Sequence, residues 1–568
     1  MSSKVGKACN QVAGQAVAAA TLPINKCGRR SACPTIFVSI LAGVVVVAFN
    51  SSAKESDQPR KKPDAPGMAQ VPTWSDDDLD FFLHGSMSTE VIPETVLSAF
   101  IKTYPDLFPA ADLSYLGLIP DPGFGWPIGF SRKSGIKHLG GLSAVGINCA
   151  SCHVAQITSE LGSEPIRILG ATSHFNVEAF FGSVLLATFK TSDPANMKKF
   201  LAAYLAATDP ASGDETQKAF ETAWQSQEEK IKATMKGDPF GAKHVAPGDL
   251  HKIDNEDVRL DRQSLEHDVD LAARAQSMLK LFHNMRAALH VPDQPPDKPP
   301  PASGPGRNDA FGLLSAALLN SPQPYAPTKF GLVWDVDKRT WVHWDGNTKS
   351  PISRNLLASL GLGAPLHGKH GDLDFAAVKR QTDLSETIRP PRYPFGIERV
   401  AAKRGAVHFE SKCASCHAGP ESDQRLYPIA EVGTDPNRAQ LFTQKQAEGF
   451  NKFLAELEAI GYEPPKEYGV RSTGKYFAPT LNGVWARSPY LHNGSVRTMQ
   501  ELLKAPGERA KTFHRGSRNY DDRQMGYSDE GAYVLDTTTT GNANTGHDYG
   551  THLSNAEKGE LIEYLKTL

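Results

Sequence analysis

The sequence predicts a mainly α-helical fold with long loops and a large helical insertion. Strand-like alternation is rare along the 568 residues, whereas residues 193–290 have helical spacing, many charges and few β-branched runs. Stretches rich in glycine and proline, such as 120–130 and 290–306, separate the helical segments. The pentapeptide Cys-Ala-Ser-Cys-His occurs at 149–153 and again at 413–417. Two copies a domain's length apart indicate two similar sites within one helical protein.

The repeated pentapeptide has the spacing of a c-type haem attachment site. Two thiols three positions apart can form thioethers to one porphyrin, and the adjacent histidine becomes the proximal iron ligand. The alternatives are a structural zinc site or a dithiol redox pair. Zinc would require the two pairs to converge on one ion, yet each pair has its own trailing histidine. The sequence therefore predicts two covalent haems, bound by Cys149, Cys152, His153, Cys413, Cys416 and His417.

The first fifty residues have the pattern of an export signal. Lysines and arginines precede an apolar run at 36–49, and no acidic residue occurs before Glu55. Since the run is shorter than the ~20 residues of a typical transmembrane helix, residues 1–50 are either a cleaved signal or an amino-terminal membrane anchor. Either one predicts an exported, periplasmic or cell-surface protein, with the anchor in the inner membrane. The net charge of −2 gives no indication of nucleic-acid binding.

The elements beyond the signal are predicted in order from local patterns. Residues 51–73 are polar and proline-rich, which is typical of a flexible tether. Ser75 followed by three aspartates predicts a helix amino terminus. We expect a first haem domain over 74–392, including the helical insertion and the Pro-rich loop 290–306. A second domain is expected over 393–568.

Two helices are predicted in the second domain. One covers 399–412 and leads into the second pentapeptide. The other closes the chain from Ser554, where Glu557 at the third helical position completes a capping box.

The segment 473–503 carries a family resemblance. Its run PTLNGVWARSPYLHNG is similar to the pattern that follows the second haem motif in the di-haem cytochrome c peroxidase superfamily, although Asn482 and Asn493 replace the commoner Arg and Asp. The segments SYLGLIPDPGFGWPIGFSR, GRNDAFG and GNANTGHDYGTHLS most resemble the rubber-oxygenase-like branch. The resemblance extends over most of the chain from about residue 74. It implies two cytochrome c-like haem domains.

The same resemblance implies a distal ligand for the second haem shortly before the closing helix. His547 occupies that place, and nearby glycines would let its loop approach a porphyrin closely. The sequence also offers His492, His552, Met499 and Met525 as candidates, and a solvent-facing loop is the alternative for His547. The predicted iron ligands are therefore His153, His417 and His547.

The distal side of the first haem decides between two functions. In the rubber-oxygenase-like branch that side is open and apolar, which implies catalysis there, and Phe311 is a candidate for its lining. His174, 21 residues after His153, is a candidate distal ligand or else an ordinary helix-start residue. Trp334, Trp341 and Trp344 are either core residues or electron-transfer residues.

An open first site implies an oxidoreductase that activates peroxide or dioxygen there, with the second haem as an electron relay. The alternative is a non-enzymatic, membrane-tethered electron carrier with both irons six-coordinate. Expected partners are a redox protein or small-molecule electron donor, and peroxide, dioxygen or an apolar substrate. Binding of calcium is left open.

Overall fold

Helices dominate the protein, as the sequence predicts. The computed structural model describes residues 69–136, 139–208, 214–236, 265, 270–291, 302–321, 325–365, 373–419, 425–458, 462 and 467–568. Of these residues 47% are helical and 14% lie in strands. The predicted export segment 1–50, most of the tether 51–73, much of the helical insertion and residues 292–301 of the Pro-rich loop lie outside the described residues.

The first part of the chain contributes ten helices to the described ranges. In chain order they are α1 Asp76–His84, α2 Glu94–Thr103, α3 Cys149–His153, α4 Val177–Thr191, α5 Pro194–Thr208, α6 Asp214–Lys236, α7 Leu271–Ala288, α8 Ala310–Leu319, α9 Pro351–Gly361 and α10 Phe375–Glu386. The second part contributes α11 Arg399–Lys412, α12 Ala414–His417, α13 Ile429–Val432, α14 Asn437–Leu441, α15 Gln444–Glu458, α16 Met499–Leu502 and α17 Asn555–Leu565.

The strands are short and form small antiparallel sheets. They are β1 Ile92–Pro93, β2 Phe130–Ile136, β3 Leu142–Ile147, β4 Val154–Ser159, β5 Gly162–Leu169, β6 Arg307–Asn308, β7 Thr328–Lys329, β8 Trp341–Val342, β9 Thr348–Lys349, β10 Leu426–Pro428, β11 Gly469–Val470, β12 Lys475–Phe477, β13 Thr512–Arg515, β14 Tyr520–Asp521, β15 Gly526–Tyr527 and β16 Tyr533–Asp536. The sheets with three strands have the orders β1-β3-β2 and β11-β9-β8. Strand β3 leads directly into the first pentapeptide and β4 leaves it, so local hairpins hold that motif at both ends.

The helix starts predicted from sequence are confirmed. The Ser75 hydroxyl accepts a hydrogen bond from the Asp78 backbone N–H, and the Asp78 carboxylate accepts one from the Ser75 backbone N–H. Ser554 and Glu557 form the same reciprocal capping box at the start of α17. Helix α17 packs against α11, where Gly405 allows close approach: a Cβ there would stand 1.9 Å from the Glu560 carbonyl oxygen. The carboxyl-terminal helix is thereby held beside the helix that leads into the second motif.

Two hydrophobic clusters form the core of the described residues. One gathers α2, α4, α5 and α7, with the rings of Phe100, Phe200 and Phe282 at centroid distances of 5.2–5.5 Å. The other continues from α1 and the first motif through to Trp485 and α17. The second cluster therefore joins residues from both predicted haem domains, and the boundary at 392/393 stays a prediction.

A bilayer-spanning helix is not found in the described ranges, since no helix there is both long and apolar enough. The apolar run 36–49, on which the predicted anchor depends, lies outside those ranges.

Candidate haem sites

The first pentapeptide is a single helical turn, α3, held by backbone contacts. The Asn148 side chain caps it by accepting a hydrogen bond from the Ala150 backbone N–H at 2.9 Å. Gly129 has φ +91° and lies against the turn, where a Cβ would stand 2.2 Å from backbone atoms of Ser151. Only glycine fits this approach. The loop 120–130 therefore fixes the position of the two cysteines and the histidine.

Burial determines the protonation states of the two thiols and the imidazole of the first motif. Cys149 is 8% exposed and His153 4%. Burial raises the pKa of the Cys149 thiol and raises the pKa of Cys152 to about 11. It also lowers the pKa of His153 to about 3, so this imidazole is neutral, as a metal ligand must be. Dithiol redox pairs depend on a lowered thiol pKa, so these surroundings disfavour that alternative.

A cavity of about 1170 Å³ lies beside the first motif. Both cysteines and His153 line it, whereas the cysteines of the second motif do not. Its walls come mainly from α4, α8 and α9, with apolar side chains that include Phe181, Leu185, Phe311, Leu314 and Leu357. A thiol pair, a neutral imidazole and apolar walls fit a covalently attached porphyrin, whose faces are themselves apolar.

The second motif lies nearer the surface, with Cys413, Cys416 and His417 all half-buried. The His417 ring is oriented by its Nδ1, which lies 2.8 Å from the Pro479 carbonyl oxygen. Since that oxygen only accepts, Nδ1 carries the proton and the lone pair is on Nε2. A histidine oriented in this way is set to bind metal through Nε2. Pro479 belongs to the segment that carries the family resemblance.

His547 faces His417 across a gap. The centroids of the two imidazole rings are 6.2 Å apart. A metal–imidazole bond is about 2 Å long and a ring centroid lies about 1 Å behind its nitrogen, so two imidazoles on one ion have centroids about 6 Å apart. The Nδ1 of His547 is buried and has no hydrogen-bond partner. This pair of rings fits an iron held between them.

Arg509 holds the loop that carries His547. Its Nη1 donates to the carbonyl oxygens of Asn544 at 2.6 Å and Gly546 at 2.7 Å, and its Nη2 donates to that of His547 at 2.9 Å. Burial lowers the pKa of Arg509 to about 10, which leaves it cationic at neutral pH. Gly546, with φ +65°, lies so close to Gly433 that a Cβ would meet its carbonyl carbon at 2.1 Å. The hydrogen bonds from Arg509 act as a clamp on this loop. Together with the close contact between Gly546 and Gly433, the clamp fixes the position of the His547 ring.

We predict that Arg509→Lys loosens this loop. A lysine cannot reproduce the fork of guanidinium donors, and the carbonyls left without partners should destabilise the loop by at least about 3 kcal/mol. The oxidised holoprotein should then show a mixture of low-spin and high-spin signals at the second haem by electron paramagnetic resonance (EPR). The same substitution at an exposed arginine, Arg523→Lys, is the matched control. A single low-spin second haem in Arg509→Lys would contradict the clamp.

The other candidates for the second distal position lie elsewhere. His492 is stacked on Tyr476 with ring centroids 4.2 Å apart, and His552 is exposed. Met499 and Met525 are both buried in the core. The ring in contact with His417 is that of His547.

The first-site candidates from the sequence separate in space. His174 packs edge-on against Tyr527, with centroids 4.6 Å apart, and lines a small second cavity beside Arg515. Phe311 lines the large cavity together with His153. The Arg438 guanidinium lies 4.4 Å above the Phe311 ring. Of the two, Phe311 is the residue that the structure brings to the cavity of the first motif.

The three tryptophans differ in their surroundings. Trp334 is 1% exposed and its Nε1 donates to the Leu169 carbonyl at 2.7 Å, as expected of a core residue. Trp341 and Trp344 line the large cavity. Trp344 is held by a 3.1 Å hydrogen bond from Nε1 to the Lys329 carbonyl.

Sequence reasoning missed His343. It follows strand β8, has φ +74° and lines the large cavity. Its ring packs edge-on against Phe311 at 4.9 Å. His343 could have been found from its place between Trp341 and Trp344, because it lies in the same aromatic segment as these tryptophans.

Comparison with known proteins gives one family model and several relatives. A family model described as "RoxA-like, cytochrome c-like" matches residues 474–514. Uncharacterized protein y4iM of Sinorhizobium fredii (strain NBRC 101917 / NGR234) is 32% identical over 326 residues, covering 48% of this chain and 72% of that protein.

Two further relatives have names that state an activity. Hydrazine synthase subunit gamma of Kuenenia stuttgartiensis is 27% identical over 33% of this chain and 46% of its own length. Cytochrome-c peroxidase IdrP1 of Denitromonas iodatirespirans is 27% identical over 22% of this chain and 38% of its own length. The alignments thus cover less than half of each of these two proteins.

The thiol pairs, their adjacent histidines and the apolar cavity define a c-type cytochrome with covalently bound haem, within the haem-dependent oxidoreductases. The chain belongs to the same family as y4iM and has a RoxA-like, cytochrome c-like domain at 474–514, and its further relatives are consistent with the di-haem cytochrome c peroxidase superfamily. The resemblance read from the sequence is confirmed.

Proposed function

We propose that the protein is an exported di-haem oxidoreductase with a reactive first site and a closed second site. The observation that carries this proposal is the difference between the two motifs. The first lines a cavity of about 1170 Å³, whereas His417 of the second faces another imidazole at 6.2 Å. When bound, haem supplies activation of peroxide or dioxygen at the first site and electron relay at the second.

The residues of the first site bind the haem and shield it from water. Cys149 and Cys152 would attach the group, and His153, neutral through burial, would supply the proximal nitrogen. Phe311 and the apolar walls exclude water and leave room for a small oxidant or an apolar substrate. The electron donor or acceptor would be a redox protein or a small molecule.

The residues of the second site close it. Cys413 and Cys416 would attach the group, and His417 and His547, whose ring centroids are 6.2 Å apart, would supply its iron ligands. Because ligation by two histidines leaves no open position, this site is suited to electron transfer rather than to binding an oxidant. Its half-buried position suits electron exchange with a partner.

Spin state tests the proposal. Oxidised holoprotein should show one high-spin or ligand-accessible haem and one low-spin haem by optical and EPR spectroscopy. His174→Ala should leave both signals unchanged, since His174 lines a different cavity. Two low-spin haems, one of which becomes high-spin only in His174→Ala, would instead support the electron carrier with both irons six-coordinate.

A further inference from the structure

His343 is placed in the large cavity by a backbone conformation that histidine adopts only when its surroundings enforce it. Its φ of +74° lies in the left-handed region, and such residues cluster at functional sites. A turn fixes the position, because the Gly346 N–H donates to the His343 carbonyl at 3.1 Å. The ring is held edge-on against Phe311. Phe311 itself is covered by Arg438, which forms a buried ion pair with Asp345.

The imidazole of His343 is neutral, and one of its ring nitrogens is free to form a hydrogen bond with a ligand. Burial is the main cause that holds its pKa well below the usual range, with further lowering by Arg354, Arg438 and His153. Its Nε2 is buried without a hydrogen-bond partner. A neutral imidazole offers one N–H donor and one acceptor nitrogen. An unsatisfied ring nitrogen beside an apolar cavity is costly unless a ligand completes it.

Several other polar side chains of the cavity form hydrogen bonds inside the protein, and among the cavity histidines Nδ1 of His290 shares with Nε2 of His343 the lack of a partner. Nε2 of His290 bonds to the Leu360 carbonyl at 3.0 Å. Glu178 accepts hydrogen bonds from both the backbone and the hydroxyl of Ser303. Asp309 accepts from backbone N–H groups at 3.0 and 2.9 Å. His343 also lies close enough to His153 to interact with it electrostatically.

The ring contacts of His343 differ from those of His547. The His547 ring faces its partner histidine at a separation that suits a shared iron. The His343 ring packs edge-on against Phe311, with planes at 81°. A ring that packs edge-on against a phenylalanine is better placed to form a hydrogen bond with a ligand than to act as a second iron ligand.

We infer that His343 is the polar residue of the first haem cavity that hydrogen-bonds a small ligand, such as hydrogen peroxide, without itself binding iron. The inference rests on the proposed open first site and adds the residue that would select for small protic ligands. A hydrogen-bond donor in a haem pocket controls which ligands bind and how tightly.

Cyanide binding to the oxidised holoprotein tests this role with a readout independent of turnover. His343→Phe keeps the ring and its contact with Phe311 but removes both nitrogens, and we expect the cyanide Kd to rise by about 10- to 100-fold. His343→Gln restores an N–H donor and should recover much of the affinity. Phenylalanine and glutamine both have a Cβ at this left-handed backbone position. The backbone strain is therefore the same in His343→Phe and His343→Gln and does not affect their comparison. His343→Leu substitutes for His343→Phe if the latter does not fold.

The spin state in the same samples separates the possible failures. The first haem should be equally ligand-accessible in His343→Phe and in the unaltered protein. An unchanged cyanide Kd in both His343→Phe and His343→Gln would overturn the hydrogen-bonding role. A low-spin first haem that becomes high-spin in His343→Phe would make His343 an axial ligand and also overturn it. Two low-spin haems that exclude cyanide with or without His343 would instead refute the open first site.

Discussion

His547→Ala is expected to convert the second haem from a low-spin, six-coordinate centre into one that is high-spin or binds added ligands. The imidazole of His547 stands 6.2 Å from that of His417, centroid to centroid. The other histidines considered for this position lie elsewhere, because His492 is stacked on Tyr476 and His552 is exposed. Truncation to alanine therefore empties one axial position rather than exchanging its ligand. EPR of the oxidised holoprotein, with imidazole added back in solution, measures the change.

We expect His547→Ala to lose nearly all of the low-spin signal of the second haem. A control residue, His552, lies five residues further along the chain. His552 is exposed and belongs to the same glycine-rich loop, so His552→Ala should leave both haem signals as they are. Added imidazole should return the second haem of His547→Ala to low spin, because the emptied position has the size of the lost ring. A second haem that stays low-spin in His547→Ala without added ligand would refute His547 as the distal residue.

Local patterns made parts of this protein predictable. The capping boxes at Ser75 and Ser554 depend on residues three positions apart, and both are present. His547 could be chosen because the family resemblance implies a distal ligand shortly before the closing helix, and the glycines around His547 are visible in the chain. These features need no knowledge of long-range packing.

The residues that sequence reasoning misplaced or missed depend on contacts between distant segments. Spacing made His174 a candidate for the first haem, yet the fold takes it to a different cavity, beside Tyr527. His343 becomes interesting only once β8 brings it to Phe311 and to the cavity of the first motif. Arg509 acts on carbonyls 35 to 38 residues further along. No periodicity or motif in one sequence encodes such pairings.

Replacing the cysteine pairs by alanine should separate the two haems by number and by their contribution to stability. Cys149→Ala/Cys152→Ala and Cys413→Ala/Cys416→Ala should each reduce covalent haem from two per chain to one, because a porphyrin without thioether links is lost on denaturation. Haem staining of denatured protein and the pyridine haemochrome spectrum measure this count. One haem in the unaltered protein, lost with either pair, would contradict two independent sites.

The two double variants should differ in stability because their surroundings differ. The first motif belongs to the hydrophobic core and lines a cavity of about 1170 Å³, so loss of its haem leaves buried apolar walls without partner atoms. The cysteines of the second motif are half-buried on a short helix, and loss of that haem exposes a smaller buried surface. We therefore expect Cys149→Ala/Cys152→Ala to lower Tm by about 5 °C, the effect of several kcal/mol in a chain of this size, and the second pair to lower Tm less. Equal losses of Tm, measured by circular dichroism, would show that the second haem is as deeply built into the core as the first.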